Sequence, residues 1–451
     1  MHVLLLLATL NWNADLTYLE NELPRVHPNA FHTISRETFH AAVESLRTRA
    51  AGLEPHEVVV EMARLVASIG DGHTRLTIPI DPSAGFFQGH STTAPPKDPS
   101  LMFHALPLRF VILPNGLYTT GGKEVVRIGR MTAQDAIAAV SPIAHRDNDS
   151  QLKEIVASYL AVPEILHATG VSATKDEVAI EYAGGETVLA LPGTVDPPPP
   201  TTPWSYRVEG SAVIFRYDEV ANAKDETLAH FSERMFAYIE THPVDRLVID
   251  LRDNWGGNGS LNRAVVHGLI RSKKLQRPGS VFVLIGRRTF SAAMFLLLDL
   301  EKHSHAILIG EPTGGKPSSY GDSRKMLLPE SGLTVRVSTL YWQADPRDKR
   351  DAIAPHIPVA PAIGSDPALA EALDFFGARS EAGGKWSGTI SIEHHRVPFT
   401  IEDGKITSPD LDLNAVALDE TFDLRYGKKR MAGTMTSGGR EFMVVGSRDE
   451  S

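Results

Sequence analysis

The sequence lacks cysteine altogether: none occurs among its 451 residues. That absence excludes disulfide bonds, thiolate-ligated metal sites and a cysteine nucleophile, although it does not fix the cellular compartment. No His-Glu-x-x-His or other spacing of metal ligands occurs, so we expect neither a metal site nor a cofactor. Basic residues are few, since 45 Lys and Arg stand against 55 Asp and Glu. The net charge of −10 argues against a nucleic-acid partner, which would require a basic surface.

Long apolar runs are also scarce. Outside Val3–Leu10, no run approaches the ~18–20 apolar residues of a transmembrane helix. Val3–Leu10 has the length of a signal-peptide core, but it has no Lys or Arg before it and no Ala-x-Ala-like cleavage site after it. It fits either a signal remnant or a short buried helix. The first alternative predicts a periplasmic or extracellular protein and the second a cytoplasmic one, and the sequence does not indicate an oligomeric state.

The chain changes its pattern four times. Apolar residues at helical spacing predict a helical N-terminal subdomain over residues 12–80, and residues 101–196 mix short strands with helices. The proline-rich connector Pro197–Pro203 then precedes residues 204–365, where strands and helices alternate. This alternation predicts an α/β fold with a mostly parallel sheet. Residues 383–451 contain the short alternating runs of a small antiparallel β unit, with a boundary expected near residue 380.

Ser291 stands at the junction of an apolar strand and an apolar helix, in the stretch Gly286–Phe295. A serine at such a position is often only the N-cap of the helix. The same position also places its hydroxyl at the positive end of the helix dipole, where the amide of Ala292 could face a developing oxyanion. The Gly-x-Ser-x-Gly elbow of the α/β-hydrolases is absent, so that family is not supported.

Two glycine-rich turns follow other strands. Gly256 and Gly257 form either a plain turn or a place where backbone amides meet an oxyanion. The stretch Gly310–Lys316 imitates a phosphate-binding P-loop, but Pro317 stands where that loop needs a hydroxyl and a backbone amide. We therefore reject nucleotide binding. Lys316 remains either a solvated loop lysine or a buried, deprotonated base.

His73 is one of 18 histidines, most of which we expect to be structural. It lies in Asp71-Gly-His-Thr, a turn bounded by glycine rather than an apolar face. That placement favours an exposed imidazole, which titrates near neutral pH and suits general-base catalysis.

These residues occur in an order that is familiar. The segment from Leu247 to Val359 resembles the tail-specific, or C-terminal-processing, serine peptidase superfamily. The matching stretches are Val248–Gly257, Thr289–Ala293, Ile309–Lys316 and Ile353–Val359. The turn at His73 and the helices before it resemble the tricorn-like members, so the resemblance covers most of residues 12–362. It implies a ClpP/crotonase-like α/β core.

The resemblance also implies catalytic roles. Ser291 would be the nucleophile. Lys316 falls where processing peptidases keep a lysine base, and His73 falls where tricorn-like members keep a histidine base, so the base stays open between them. Asp348 is the nearest candidate for the acid that would orient the histidine. Met294 stands where processing peptidases often have an acid.

The oxyanion hole would come from Gly256 or Gly257 together with the amide of Ala292. A complete PDZ domain is not evident in residues 101–192. The resemblance therefore favours cleavage of small peptides over processive recognition of protein tails.

We thus expect a serine peptidase, a hydrolase that acts on peptides or small proteins. One alternative is a non-catalytic module for apolar ligands, because interphotoreceptor retinoid-binding protein looks like a relative with the same fold. A complete serine–base pair favours the enzyme, since a carrier does not need one. The other alternative is a small ester or amide hydrolase that uses the same machinery, which the sequence does not separate from a peptidase.

Overall fold

The computed structural model describes residues 10–81, 95–194, 202–377, 384–402, 405–411 and 421–449. Most of the N-terminal apolar run and of the proline-rich connector lies outside these ranges. The chain forms two compact units, of which the first contains Met1–Pro200 and Ser318–Gln343 and the second Thr201–Pro317 and Ala344–Ser451. The finer division into four parts stays a prediction. Within the described ranges, no helix is long and apolar enough to cross a membrane.

The described residues form helices and strands that we number in chain order. The helices are α1 Trp12–Val26, α2 Arg36–Arg49, α3 Pro55–Ala67, α4 Ala133–Val140, α5 Asp149–Tyr159, α6 Pro163–Ala168, α7 Leu228–Thr241, α8 Arg263–Arg271, α9 Ala292–His303 and α10 Pro367–Leu373. The strands up to the glycine-rich turns are β1 Arg75–Leu76, β2 Phe110–Leu113, β3 Gly116–Thr119, β4 Glu124–Ile128, β5 Met131–Thr132, β6 Val178–Tyr182, β7 Thr187–Ala190, β8 Trp204–Glu209, β9 Ala212–Tyr217, β10 Arg246–Asp250, β11 Val281–Ile285 and β12 Ile307–Gly310. The remaining strands are β13 Ser318–Gly321, β14 Arg324–Leu327, β15 Thr334–Val337, β16 Leu340–Gln343, β17 Ile357–Pro358, β18 Trp386–Ile392, β19 His395–Glu402, β20 Lys405–Thr407, β21 Thr421–Tyr426, β22 Arg430–Ser437 and β23 Arg440–Arg448.

The first unit begins with the helices that the apolar spacing predicts. The side chain of Ser35 caps α2 by accepting from the N–H of Thr38, as expected for a serine at a helix start. Leu16, Leu19 and Leu23 lie on the buried face of α1. Antiparallel strands follow in the order β2-β3-β4-β6-β7, while β1 pairs with β15 and β13 pairs with β16.

The second unit is built on a six-stranded sheet in the order β17-β12-β11-β10-β9-β8. Strands β9 to β12 and β17 run parallel, and β8 is antiparallel to β9. All five residues of β11 are buried, which explains why this strand is a continuous apolar run. The apolar side chains of α7, α8 and α9 pack in one cluster with alternate residues of the strands. The expected α/β class is confirmed.

The C-terminal residues form an antiparallel sheet in the order β20-β19-β18-β23-β22-β21. Its own cluster of buried side chains contains Trp386, and Ala432 and Val445 belong to another cluster that also includes Val248 and Phe282 of the parallel sheet. The C-terminal sheet therefore helps to cover the face of the parallel sheet opposite α7, α8 and α9.

Candidate active site

Three loops that follow neighbouring strands lie at one edge of the parallel sheet. Strand β10 leads to Gly256 and Gly257, β11 leads to Ser291, and β12 leads to Lys316. Because these three strands are parallel, their carboxyl ends meet at the same edge, where ligands bind in open α/β sheets. The second unit thus gathers the predicted nucleophile, the glycine pair and the lysine loop.

The backbone of Ser291 adopts a conformation that residues other than glycine rarely take. Its φ is 54° and its ψ is −124°. Among the described residues, only Asp322 and Glu393 share a positive φ without being glycine. Such strain costs on the order of 1–3 kcal/mol and persists only where surrounding contacts hold it.

Ser291 occupies the N-cap position of α9, but its side chain makes no capping hydrogen bond. A simple N-cap would accept a hydrogen bond from the first turn of the helix. A strained serine between a strand and a helix is instead the geometry of a nucleophile elbow, which presents the hydroxyl at the top of a sheet. The backbone geometry therefore occurs here without the Gly-x-Ser-x-Gly signature.

Gly256 packs directly against Ser291. A Cβ atom built on Gly256 would lie 2.6 Å from Cβ of Ser291 and 2.8 Å from the backbone nitrogen of Ala292. The φ of Gly256 is 103°, which L-residues rarely adopt. Position 256 requires glycine for both reasons, and the close approach brings the turn to the start of α9.

The backbone N–H groups of Gly256 and Gly257 differ in whether they already have a hydrogen-bond acceptor. The N–H of Gly256 donates to Oδ1 of Asn254 at 2.8 Å, and the carbonyl of Gly256 accepts from the N–H of Val220 at 2.8 Å. Because a trans peptide is planar, the N–H of Gly257 points away from Val220. Within the part of the chain that the structure describes, no acceptor is found for the N–H of Gly257 or of Ala292. Both amides are thus available to an incoming oxyanion.

The loop before Lys316 is fixed against the segment that carries Ser291. The N–H of Gly315 donates to the carbonyl of Thr289 at 3.1 Å. A Cβ atom on Gly315 would lie 2.6 Å from Cγ of Met294, which is buried. Met294, which takes the place of an acid in the resemblance, therefore has a packing role against this loop.

Lys316 is an ion-paired lysine within its own unit. Its side chain is 32% exposed, and its Nζ lies 3.0 Å from Oδ1 of Asp351, whose side chain is 83% exposed. A lysine base requires burial that favours the neutral amine. Within the second unit, Lys316 is not buried in this way, because it is partly exposed and lies beside the exposed carboxylate of Asp351.

His73 lies in the first unit, in the turn after α3. Oδ1 of Asp71 accepts hydrogen bonds from the N–H groups of His73 at 2.8 Å and Thr74 at 2.7 Å, and from the hydroxyl of Ser338 at 2.9 Å. Oδ2 of Asp71 lies 2.9 Å from Nε2 of His27. The turn is therefore held by residues that are far apart in the sequence.

The protonation states of this turn follow from burial and hydrogen bonding. Burial alone would favour neutral Asp71, but hydrogen bonds from His27 and Thr74 outweigh it and lower the pKa of Asp71 to about 2. Burial lowers the pKa of His73 to about 4, although the charge of Asp71 opposes this shift. The expectation of an exposed imidazole that titrates near neutral pH is therefore wrong, because the turn is packed into its unit. At neutral pH the turn thus holds a carboxylate and an unprotonated imidazole, the form that accepts a proton.

Asp348 lies in the second unit, where it is buried and paired with a cation. Nη2 of Arg350 lies 2.8 Å from Oδ2 of Asp348, and Nδ1 of His394 lies 3.5 Å from the same oxygen. Burial raises the pKa of Asp348, but the hydrogen bonds from Arg350 outweigh this effect and leave the pKa lowered. The expectation that Asp348 orients His73 stays a prediction, and within the unit of His73 itself Asp71 is a carboxylate that holds its turn.

The sequence analysis missed three buried polar residues beside the site, which are Tyr217, Asn254 and Asn262. Asn254 stands inside the motif that carries the resemblance, two residues before Gly256, so its position could have drawn attention. Tyr217 and Asn262 carry no comparable signal, because only the fold brings them together.

One group of possible metal ligands occurs among the described residues. Ligand atoms of Glu20, His40 and Glu44 lie within 4.8 Å of one another on the surface of α1 and α2. Arg47 already contacts both glutamates, since its Nε donates to Glu44 at 3.0 Å and its Nη2 lies 3.4 Å from Glu20. The cluster is far in sequence from the candidate active-site residues of the second unit.

One protein family matches part of the chain. Residues 263–359 match the model of peptidase family S41, a segment that contains Ser291, Lys316 and Asp348. No curated protein sequence matches the chain. The solved structure of mature CPAF is similar, with a TM-score of 0.51 and 12% identity over 77% of this chain and 93% of CPAF.

Two further solved structures are more distant. The photosystem II D1 C-terminal processing protease has a TM-score of 0.37 and 15% identity over 76% of this chain and 92% of its own. The tricorn protease has a TM-score of 0.37 and 10% identity over 80% of this chain and 36% of its own. The likeness to CPAF shows the fold alone, and these two lower scores carry no argument. The family match confirms the resemblance to the tail-specific peptidases and the expected enzyme class, a hydrolase of the serine peptidase type.

Proposed function

We propose that this chain, whose residues 263–359 match peptidase family S41, hydrolyses peptide bonds with Ser291 as its nucleophile. The observation that carries the proposal is the strained backbone of Ser291, which lies at the start of α9 and against Gly256. Such strain is retained at functional sites, where surrounding contacts hold it. We further propose that the second unit has the ClpP/crotonase-like core of that family.

The proposed reaction has two steps. Oγ of Ser291 attacks the carbonyl carbon of the substrate while a base takes the hydroxyl proton, and the carbonyl oxygen becomes an oxyanion. The N–H groups of Gly257 and Ala292 stabilise that oxyanion, and each donor contributes roughly 3–4 kcal/mol by comparison with measured oxyanion holes. The base then gives its proton to the leaving amine, and water hydrolyses the acyl-enzyme.

The base is His73 or Lys316, and the two side chains differ in their suitability. His73 is unprotonated at neutral pH, as a general base must be, although burial lowers its pKa to about 4 and so weakens it as a proton acceptor. Lys316 is partly exposed and forms an ion pair with Asp351. We therefore favour His73, with Asp71 holding its turn, and retain Lys316 as the alternative.

The substrates that we propose are peptides or small proteins. A carrier of apolar ligands is the second candidate, but it has no need of a strained serine or of two available amides beside it. A small ester or amide hydrolase would use the same residues, because acyl transfer from an ester and from an amide share the oxyanion intermediate.

Turnover measurements test the proposal and separate these candidates. Wild-type protein is incubated with a fluorogenic peptide library and with an aryl ester panel, in parallel with Ser291→Ala and Ser304→Ala. Ser304 follows α9 at its other end, where its hydroxyl donates to the carbonyl of Leu300, so it is a matched control. We expect peptide turnover by wild type and Ser304→Ala only. Hydrolysis of esters without peptides would favour the ester hydrolase, and no turnover by the wild type would favour the carrier.

A further inference from the structure

We infer that Tyr217, Asn254 and Asn262 form a buried network that positions the two amides of the oxyanion hole. The inference rests on the proposed function, since it concerns the donors that would face the oxyanion of the substrate. The exposed fractions of the three residues are 0%, 0% and 2%. They are positioning residues, because they act on the backbone of the site and not on the substrate.

Asn254 holds the glycine turn. Its Oδ1 accepts from the N–H of Gly256 at 2.8 Å, and its Nδ2 donates to the carbonyl of Tyr217 at 2.7 Å. Its own carbonyl accepts from the N–H of Phe290, the residue before the nucleophile, at 3.1 Å. The side chain must accept from one backbone group and donate to another, which an amide does and a carboxylate does not.

Asn262 holds the start of α9. Its Nδ2 donates to the carbonyl of Ala292 at 2.8 Å, and its Oδ1 accepts from the hydroxyl of Tyr217 at 2.9 Å. Burial raises the pKa of Tyr217, so its hydroxyl stays protonated and remains the donor. The polar atoms of both asparagine side chains therefore bond to the protein interior, where an unsatisfied group would be costly.

Tyr217 joins the two halves of the network at the end of β9. Its carbonyl binds Asn254 and its hydroxyl binds Asn262, so a single rigid aromatic residue is bonded to both. Asn254 fixes the turn that carries the N–H of Gly257, and Asn262 fixes the helix start that carries the N–H of Ala292. The network thus sets the spacing between the two donors before substrate arrives, which is the preorganisation that oxyanion stabilisation requires.

The variant that tests this inference most cleanly is Tyr217→Phe. It removes the hydroxyl that binds Asn262 but keeps the aromatic ring and the carbonyl that binds Asn254. A small displacement of a catalytic donor can cost ~100-fold in rate, so we expect kcat to fall by ~10–100-fold with KM nearly unchanged. Affinity for a peptide boronate, which forms a tetrahedral adduct with the serine, should fall by a similar factor, because that adduct uses the same donors.

A matched control removes a buried hydroxyl at the amino ends of the parallel strands, away from the candidate site. Ser280 is fully buried, and its hydroxyl donates to the carbonyl of Arg277 at 2.6 Å, just before β11. Ser280→Ala should leave both kcat and boronate affinity unchanged. Asn254→Ala should lower kcat more than Tyr217→Phe does. If Asn254→Ala does not fold, Tyr217→Phe alone decides the question.

Hydrogen exchange provides a readout that does not need turnover. In Tyr217→Phe, peptides that cover residues 254–258 and 290–294 should exchange faster than in wild type, while the remainder of the second unit stays protected. Unchanged kcat and boronate affinity in Tyr217→Phe would overturn the inference and leave the proposed function intact. If Ser280→Ala lowers kcat and boronate affinity as much as Tyr217→Phe does, the network contributes only to the stability of the fold and does not position the donors. If wild type shows no turnover that depends on Ser291, the proposed function fails and the inference fails with it.

Discussion

Gly256 lies so close to Ser291 that a Cβ atom on the glycine would be 2.6 Å from Cβ of the serine. Real Cβ atoms do not approach to that distance, so any side chain at position 256 must displace the segment that carries Ser291. This contact joins the turn after β10 to the segment after β11, which are distant in the sequence but follow adjacent parallel strands. The turn is thus packed against the helix start at which Ser291 adopts its positive φ.

Gly256→Ala should therefore abolish peptide turnover. The added methyl group collides with Ser291, and alanine at a φ of 103° adds backbone strain. We expect a loss of at least ~100-fold in kcat, as a misplaced catalytic group produces. Gly259→Ala is the matched control, since a Cβ atom there would make an ordinary contact with Ala292 at 3.6 Å. Comparable turnover by both variants would show that the close approach is unimportant.

The two candidate bases should respond differently to truncation. His73→Ala should lower kcat by at least ~100-fold, because general-base catalysis typically contributes that much. Lys316→Ala should cost less, since Lys316 is paired with Asp351 at the surface. His40→Ala, an exposed histidine of α2, controls for loss of a histidine in the same unit. Steady-state kinetics with one peptide substrate measure all three, and the reverse ranking would transfer the role to Lys316.

The buried histidines should make the protein less stable in mild acid. Burial lowers the pKa of His56 to about 4 and lowers that of His145 well below its ordinary value. The unfolded chain, with histidine pKa values of about 6.5, therefore binds more protons than the folded chain. The contribution of these histidines to the free energy of unfolding is fully present above pH ~6.5 and decreases as the pH falls toward ~4, by ~1 kcal/mol per pH unit for each such group. Asp218, whose pKa burial raises to about 6, opposes this decrease by one group.

Urea denaturation at pH 7, 5.5 and 4.5 measures this dependence. The lowered pKa of Asp71, about 2, keeps that carboxylate charged throughout this range, so its contribution to stability is lost only at lower pH. His145→Gln should flatten the profile, because glutamine does not titrate. A midpoint that stays constant between pH 7 and 4.5 would contradict the assignment of neutral buried histidines.

Removal of the C-terminal sheet should destabilise the second unit. Ala432 and Val445 share a buried cluster with Val248 and Phe282, so a chain that ends at residue 380 exposes that face of the parallel sheet. The boundary that the sequence indicates near residue 380 separates the strands of the parallel sheet from those of the C-terminal sheet. Buried side chains of the two sheets nevertheless pack in one cluster. We expect the truncated chain to lose near-ultraviolet circular dichroism and to bind a hydrophobic dye. A cooperative thermal transition near that of the full chain would show that the sheet is dispensable.

The sequence predicts the parts of this fold that depend on local pattern. Strand β11 is recognisable because burial on both faces makes it apolar throughout, and Ser291 is recognisable because it separates that strand from an apolar helix. The strain at Ser291 is not recognisable, because a positive φ at a residue other than glycine has no signature in the local pattern. The ion pair of Lys316 with Asp351 likewise depends on how the intervening segment folds.

Long-range contacts explain what else the sequence does not reveal. Residues 318–343 interrupt the second unit in sequence but belong to the first, where Ser338 donates to the carboxylate of Asp71 beside His73. The N–H of Gly256 is taken by Asn254, which leaves Gly257 as the available donor of the pair. The first fact has no signature in spacing or composition, because it depends on which segments the fold brings together. The second is a local contact between residues two positions apart, which the place of Asn254 before the glycine pair could have suggested.

Covalent labelling of Ser291 tests the central claim most directly. Wild-type protein, Ser291→Ala and Ser304→Ala are each treated with a fluorophosphonate, and the modified residue is located by mass spectrometry of tryptic peptides. The account predicts one adduct on Ser291 in wild type and in Ser304→Ala, and no adduct in Ser291→Ala. The thermal midpoint of Ser291→Ala should stay within a few degrees of the wild-type value, since Ser291 makes no capping hydrogen bond. Equal labelling of Ser291→Ala, or no labelling of folded wild type, would contradict the assignment of Ser291 as an activated nucleophile.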